Sequence, residues 1–91
     1  MSKQKKQAIR AAFRDSVFDR DGHRCRVCGD TKGPFDAHHI TPREQMEEGG
    51  YFTSNGITLC PKCHIRAEAW LKNPNPLPSS WSKDQLYKLI R

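Results

Sequence analysis

Four cysteines occur as two C-x-x-C pairs, and three of the four histidines lie between the pairs or directly after them. The first pair is Cys25 and Cys28, and the second is Cys60 and Cys63. Two residues between the thiols allow one tight turn to present both sulfur atoms to a single ion. Four thiolates leave no position for water or substrate, so the spacing predicts a structural zinc ion. Disulfides or unrelated buried cysteines are the alternatives.

Once the cysteines are assigned to zinc, the histidines remain available for a second site. His64 follows Cys63 directly, about 100° further round a helix, so it can face a neighbouring site. His38 and His39 are adjacent on a candidate strand, where ideal alternation sends their side chains to opposite faces. Both rings can serve one site only at a strand end or a bulge, and Pro42 nearby favours a strand end. Otherwise one of the two is a packed or solvent-facing histidine.

The composition indicates one small domain with a polyanionic partner. Only 35% of the 91 residues are hydrophobic, and such a core needs a disulfide or a metal to stabilise it. The formal net charge is +6, which favours nucleic acid as the partner. Five basic residues precede the first acidic one, Asp15, although a solvated terminus explains them equally well. They are Lys3, Lys5, Lys6, Arg10 and Arg14.

The sequence carries no signal for secretion or for a membrane. The N-terminus is Lys-rich and lacks the apolar segment of a signal peptide. No apolar run approaches the roughly 18 residues of a membrane-spanning helix. We therefore expect a soluble, cytoplasmic protein in a reducing compartment, where thiolates stay available to zinc.

A first helix is expected to lead into the cysteine turns. Apolar residues at every fourth position predict this helix at residues 7–20, after a disordered basic arm at residues 1–6. Asp21 and Gly22 are expected to end it. Three arginines near this point are candidate phosphate contacts, although surface arginines are more common; they are Arg14, Arg20 and Arg24.

Two short strands and a second helix are expected to carry the histidines. One strand is predicted at residues 35–40, and the other at residues 51–53 or 57–59, with the turn formers Ser54-Asn55-Gly56 between these two alternatives. Pro61 begins a helix that extends to about Lys72. An inward-facing stripe follows helical spacing: Cys60, Cys63, His64, Ala67, Trp70 and Leu71.

A proline-rich connector leads to a last helix at residues 83–91. Ser82 and Gln85 fit the spacing of a capping box. This helix either docks back on the domain, with Trp81 as an anchor, or contacts a second copy of the chain or a partner protein. The predicted organisation is an arm, a central zinc domain and a C-terminal segment at residues 1–6, 7–73 and 74–91.

Taken together, the motifs resemble the HNH endonuclease family. They are C-x-x-C-G at residues 25–29, A-H-H-I-T-P at 37–42 and S-N-G-I-T-L-C-P-K-C-H at 54–64, and the similarity covers about residues 20–70. Their order, spacing and residue types agree together. The resemblance implies an α+β fold, namely a small zinc-stapled ββα-metal (HNH, treble-clef-like) domain with flanking N- and C-terminal helices.

The resemblance also implies a role for each polar residue. His39 corresponds to the general base that takes a proton from water, which suits a neutral imidazole with a pKa of about 6.5. His38 and His64 would bind the catalytic divalent ion, which stabilises the phosphate and the leaving 3′ oxygen. Asn55 would hold the loop between the strands so that His39 is oriented. Asn-Gly is, however, also among the commonest turn dipeptides.

Two imidazoles without a carboxylate form a soft set of donors for the catalytic ion. Mg²⁺ prefers oxygen ligands, whereas Mn²⁺, Ni²⁺, Co²⁺ and Zn²⁺ accept imidazole. We therefore expect activity with Mn²⁺, Ni²⁺ or Co²⁺ to equal or exceed that with Mg²⁺. Asp36 is a possible carboxylate donor, but it matches the motif only loosely and is left out of the predicted site.

Three functions are compatible with these features. The first is a metal-dependent endonuclease that hydrolyses DNA phosphodiester bonds, with little sequence preference because no recognition helix is evident. The second is a non-catalytic four-cysteine zinc domain that binds nucleic acid. The third is an adaptor that acts through the C-terminal helix. Only the first explains why the three histidines and Asn55 occur together, so the sequence favours the endonuclease.

Overall fold

The computed structural model describes residues 3–74 and 80–91, so part of the predicted connector, residues 75–79, lies outside the described chain. Within these ranges three helices and one two-stranded sheet form the predicted α+β fold. The helices are α1 (Lys3–Asp21), α2 (Pro61–Lys72) and α3 (Lys83–Leu89), and the strands are β1 (Asp36–His39) and β2 (Gly56–Leu59).

Helix α1 packs its apolar face on the sheet and buries Phe13 and Val17. It begins at Lys3, four residues before the predicted start, so residues 3–6 form its first turn and not a disordered arm. Lys and Gln are good helix formers, and neither Gly nor Pro interrupts this stretch. Gly22, with a φ of 70°, follows the last helical residue and ends the helix as predicted.

The two strands pair antiparallel and form the centre of the domain. Asp36 lies opposite Leu59, and His39 lies opposite Gly56. All four residues of β2 are buried, and this strand occupies the second of the two predicted locations. The other location, at residues 51–53, instead leads into a short 3₁₀ turn at Thr53–Asn55.

Gly56 was predicted as a turn residue, but it lies in β2 with an ordinary extended φ of −118°. Its importance is steric, because α1 crosses directly over it. A Cβ atom at this position would overlap Val17 Cγ2 and would lie 2.7 Å from Phe13 Cζ. The close approach of helix and strand therefore requires glycine here.

A partly buried ion pair fastens the end of α1 to β2. Arg20 donates to both carboxylate oxygens of Asp21 at 2.8 Å, and also to Thr53 O at 2.7 Å and Gly56 O at 2.6 Å. Asp21 is 2% exposed and also accepts from the Thr58 backbone N–H at 2.8 Å. These bonds use four of the five N–H groups of the guanidinium, so the structure gives Arg20 a role in the fold where the sequence suggested a phosphate contact.

Helix α2 begins at Pro61, as predicted, and its inward stripe buries Cys63 and Ala67. Helix α3 docks back on the same domain and buries Leu86, and Trp81 packs against the same core. Ser82 Oγ accepts from the Gln85 backbone N–H at 3.3 Å, which confirms the predicted cap. A homodimer or a partner protein bound through this helix stays a prediction.

None of the helices in the described ranges is both long enough and apolar enough to cross a membrane.

We expect Gly56→Ala to lower the free energy of unfolding by about 1–3 kcal/mol, because the added methyl group forces α1 away from β2. The control is Ser54→Ala. Ser54 is exposed and close in sequence, so an alanine side chain there does not press against α1. Denaturant unfolding followed by circular dichroism measures both variants. Equal stabilities of Gly56→Ala and wild type would contradict the proposed steric requirement.

Candidate active site

The four cysteines come together in one cluster between the start of α2 and the turn after α1. Their Sγ atoms all lie within 4.8 Å of one another, and Cys28 Sγ is 3.6 Å from Cys60 Sγ. Four sulfurs placed tetrahedrally around zinc at about 2.3 Å are separated by about 3.8 Å. The cysteines are not paired as disulfides. The donor set and its spacing therefore fit a structural metal ion such as zinc.

Backbone hydrogen bonds shape the two turns that carry the sulfurs. Gly29, with a φ of 82°, donates to Cys25 O at 2.9 Å and closes the first turn. Arg26 N donates to Thr58 O at 3.0 Å, which fixes this turn to β2. In the second turn His64 N donates to Cys60 O at 2.8 Å as α2 begins. The sheet thus sets the distance between the two pairs.

The thiols differ in how readily they lose a proton. Burial raises the pKa of Cys63 to about 12. Burial also acts to raise the pKa of Cys25, but backbone N–H groups of Cys28, Cys60 and Val27 outweigh it and lower this pKa to about 7. A metal binds the thiolate form, so binding must release protons and weakens in acid.

A second cluster lies beside the first and joins His38, His64 and Glu68. Each residue offers one ligand atom, and these atoms lie within 4.8 Å of one another. Glu68 Oε1 is 3.3 Å from His64 Nε2 and 3.5 Å from His38 Nδ1. Two imidazoles and a carboxylate are a suitable set of ligands for a divalent transition metal.

The sequence prediction named only His38 and His64 as ligands, and the structure adds Glu68 as a candidate third one. His64 and Glu68 are four residues apart on α2, which places them on one face of the helix. In the sequence, this spacing is the feature that could have indicated Glu68 as a ligand. The spacing alone is weak evidence for a metal site, because many exposed helices carry a histidine and a glutamate at this separation.

His38 is the most deeply buried member of the second cluster, at 2% exposure. Neither ring nitrogen has a hydrogen-bond partner among the described residues. Burial, and then the nearby His64 and His39, lower its pKa to about 4, against an opposing effect of Asp36. The ring is therefore neutral at pH 7. A buried nitrogen without a partner is costly, so this arrangement fits a metal ligand.

Asp36 orients His64 from the other side. Its Oδ2 lies 3.1 Å from His64 Nδ1, and since a carboxylate only accepts, Nδ1–H is the donor. In the neutral tautomer with this proton the lone pair is on Nε2, the nitrogen that faces Glu68. Such a carboxylate–histidine contact is typical of the outer sphere of metal sites. Asp36 thus contacts a candidate ligand without belonging to the cluster.

His39 lies on the opposite side of β1 from His38, packed between two aromatic rings. It stacks on Phe13, with ring centroids 4.5 Å apart, and meets the edge of Tyr51 at 4.9 Å. Burial and then the positive Arg43 lower its pKa, and Glu68 acts in the opposite direction. The ring is thus packed between two aromatic neighbours, and its surroundings favour the neutral form.

All three histidines line one open cleft of about 510 Å³, together with Glu68 and Arg43. The two adjacent histidines can share one cleft because they lie at the end of β1, as the sequence analysis suggested. His39 is the last residue of this strand, and both faces of the strand meet the cleft there. The structure therefore brings the three predicted rings to a common cavity. It places only His38 and His64 close enough to share an ion.

Asn55 lies behind the cleft and connects the two strands. It is 1% exposed, and its Oδ1 accepts from Thr41 N at 2.9 Å and from Tyr87 Oη at 2.8 Å. Its Nδ2 donates to Thr41 O and Gly50 O, both at 3.1 Å. Thr41 follows the end of β1, so these bonds fix the backbone two residues after His39.

The fold and the clusters define a small ββα domain with a structural metal site and a second candidate metal site. The family model for the HNH endonuclease matches residues 25–69, which include both cysteine pairs, the three histidines and Asn55. Residues 25–69 thus form an HNH endonuclease domain, as the sequence motifs indicated. This membership indicates a nuclease-type function.

A curated relative is the protein "Anaredoxin" of Nostoc sp. (strain PCC 7120 / SAG 25.82 / UTEX 2576). It is 32% identical to this chain over 50 residues, which are 55% of this chain and 63% of the relative. The chain thus matches less than two thirds of that relative's length. Among solved structures there is no significant match.

We expect Cys60→Ser to lose the tightly bound metal and to unfold the domain. Zinc binding supplies about 10–16 kcal/mol in small zinc domains, more than the usual stability of about 5–15 kcal/mol. Zinc content by mass spectrometry and melting by circular dichroism measure the two effects. The control is Lys62→Ser, an exposed residue between the same two cysteines. A Cys60→Ser protein that melts like wild type would refute the structural role.

Proposed function

We propose that this protein is a metal-dependent endonuclease that hydrolyses DNA phosphodiester bonds with a water molecule activated by His39. The observation that carries the proposal is the common cleft, in which His39 lies beside the cluster of His38, His64 and Glu68. A domain that only binds nucleic acid needs none of these groups at one cavity. Membership of the HNH endonuclease family supports the same conclusion.

His39 acts as the general base in this mechanism. Its neutral ring accepts a proton from water that attacks phosphorus in line with the leaving oxygen. Phe13 and Tyr51 pack against the ring and limit its movement, so that little freedom is lost when the substrate binds. Asn55 contributes through the backbone, because it holds Thr41 and thereby the end of β1.

His38, His64 and Glu68 would hold the catalytic ion. A divalent cation there supplies Lewis-acid stabilisation of the phosphate and of the leaving 3′ oxygen. Asp36 binds Nδ1 of His64, which would leave the Nε2 lone pair available to a metal ion. The cleft is open, and Arg43 adds a positive charge at its wall that suits a phosphate.

DNA is the proposed substrate because the chain carries a net charge of +6 and the family acts as nucleases. Contacts to the phosphate backbone give affinity without sequence information. We therefore propose little sequence preference. Arg14 and Arg24 are exposed and remain candidate phosphate contacts.

We expect the protein to nick supercoiled plasmid in the presence of Mn²⁺ or Mg²⁺, and His39→Asn to slow nicking by at least about 100-fold, the usual contribution of a general base. Gel electrophoresis over time measures the rate. His23→Asn is the matched control, because His23 is exposed and its φ of 54° is tolerated by asparagine.

Nicking must also stop when a chelator removes the weakly bound ion. Equal rates in the His39→Asn and His23→Asn proteins would indicate a contaminating nuclease and would contradict the proposal. Binding of DNA by both variants with no nicking by wild type would favour the non-catalytic zinc domain.

Glu68 determines how well the site accepts Mg²⁺. Two of three protein ligands are imidazoles, so we expect Mn²⁺, Ni²⁺ or Co²⁺ to support nicking at least as well as Mg²⁺. Glu68→Gln should reduce the Mg²⁺-supported rate at least about tenfold more than the Ni²⁺-supported rate, since Mg²⁺ depends on charged oxygen. Glu44→Gln is the control, because Glu44 lines the same cleft outside the cluster. Equal losses with both metals would contradict Glu68 as a ligand.

A further inference from the structure

A second groove lies beside the cleft of the histidines, and the proposed mechanism does not use it. It encloses about 700 Å³ between α1 and residues 43–52, within the usual range of about 300–1,000 Å³ for ligand sites. Arg43 and Glu44 line both the groove and the cleft. A chain bound at the cleft can therefore continue into the groove without leaving the protein surface.

Two guanidinium groups of this groove converge on one hydroxyl oxygen. Tyr51 Oη accepts from Arg10 Nε at 3.3 Å and from Arg43 Nη1 at 2.7 Å. The ion pairs formed among the described side chains include neither arginine. Like charges held together repel, and an anion placed between them removes the repulsion. A phosphate group, with several acceptor oxygens, matches this pair of donors.

The groove also has carboxylates, but its cations are in excess. Glu44 and Glu48 line it, and Lys6 adds a third positive charge to those of Arg10 and Arg43. Since neither arginine is ion-paired to these glutamates, both guanidinium groups stay available to a ligand. The groove therefore selects for an anion, although less strongly than three unopposed cations would.

An aromatic ring lies exposed in the same groove. Phe52 is 42% exposed, although a buried position would be more favourable for so large an apolar ring. Gly49, with a φ of 73°, lets the loop pass close to Tyr51, since a Cβ there would lie 2.9 Å from Tyr51 Cε2. The loop thus follows the groove wall and leaves the ring of Phe52 accessible.

Exposed aromatic rings next to backbone-binding cations are typical of sites for single-stranded nucleic acid. A base inside a duplex has both faces stacked on its neighbours, so it cannot stack on a protein ring unless it is unpaired or flipped out. We propose that the groove binds an unpaired nucleotide next to the scissile phosphate, with its base on Phe52 and its phosphate between Arg10 and Arg43. This inference rests on the proposed nuclease function and specifies its substrate as DNA with unpaired bases at the cut.

The test compares two labelled DNA duplexes of equal length and charge, one fully paired and one with a central run of unpaired bases. Fluorescence anisotropy with zinc-loaded protein and no added divalent ion measures binding without cleavage. We expect wild type to bind the unpaired DNA at least about tenfold more tightly. Phe52→Ala should abolish this difference and change binding to the paired duplex by less than about twofold.

Two further variants and one control make the test specific. Phe52→Leu keeps the apolar bulk without the aromatic face and should lose the preference as well, so it replaces Phe52→Ala if that variant does not fold. Arg10→Gln should lower the slope of log Kd against log salt by about 1, which is the contribution of one phosphate contact. Ile65→Ala is the control, because Ile65 is 70% exposed on α2 and outside the groove.

The outcome separates this inference from the nuclease function. A preference for unpaired DNA that depends on Phe52 supports the groove as its binding site, even if wild type fails to nick plasmid and the nuclease proposal is lost. Nicking by wild type, combined with equal affinity for both duplexes or a preference unchanged in Phe52→Ala, overturns the inference and leaves the nuclease proposal standing.

Discussion

The convergence of four sulfur atoms on one point is the constraint on which the rest of the domain depends. It joins the turn at Cys25 and Cys28 to the start of α2 at Cys60 and Cys63, two parts of the chain that are distant in sequence. The sheet lies in the chain between them. A chain of this size and low hydrophobic content has few other ways to hold these elements together. Metal binding and folding are therefore expected to be one process.

The same constraint positions the candidate active site, because the two clusters share a helix. Cys63 and His64 are neighbours on α2, and Glu68 follows one turn later. His38 reaches the cluster from β1, whose partner β2 leads directly into Cys60. The sulfur cluster thus fixes the distance between the strand that carries one imidazole and the helix that carries the other. The geometry of the candidate active site thus depends on a second cluster that lies outside it.

Motifs of a few adjacent residues predicted the main elements and both clusters, whereas contacts between distant residues without a motif could not be predicted. The cysteine spacing, the start of α2 at Pro61 and the cap at Ser82 each depend on a few adjacent residues. The role of Arg20 depends on oxygen atoms more than thirty residues away, which no local pattern reveals. Gly56 looked like a turn residue because the helix that crosses it is distant in sequence. Glu68 became a candidate ligand only when β1 brought His38 next to it.

The hydrogen bond from Tyr87 to Asn55 links α3 to the support of β1, and Thr41 Oγ1 lies 2.6 Å from the same Tyr87 oxygen. Asn55 therefore acquires its full set of partners only when α3 has folded onto the domain. During synthesis on the ribosome, residues 25–69 emerge well before Tyr87. A nascent chain would hold its metal ligands at that stage but lack the last contact that rigidifies the strand end beside His39. The strand end beside His39 is therefore braced completely only after α3 has been synthesised and has packed on the domain.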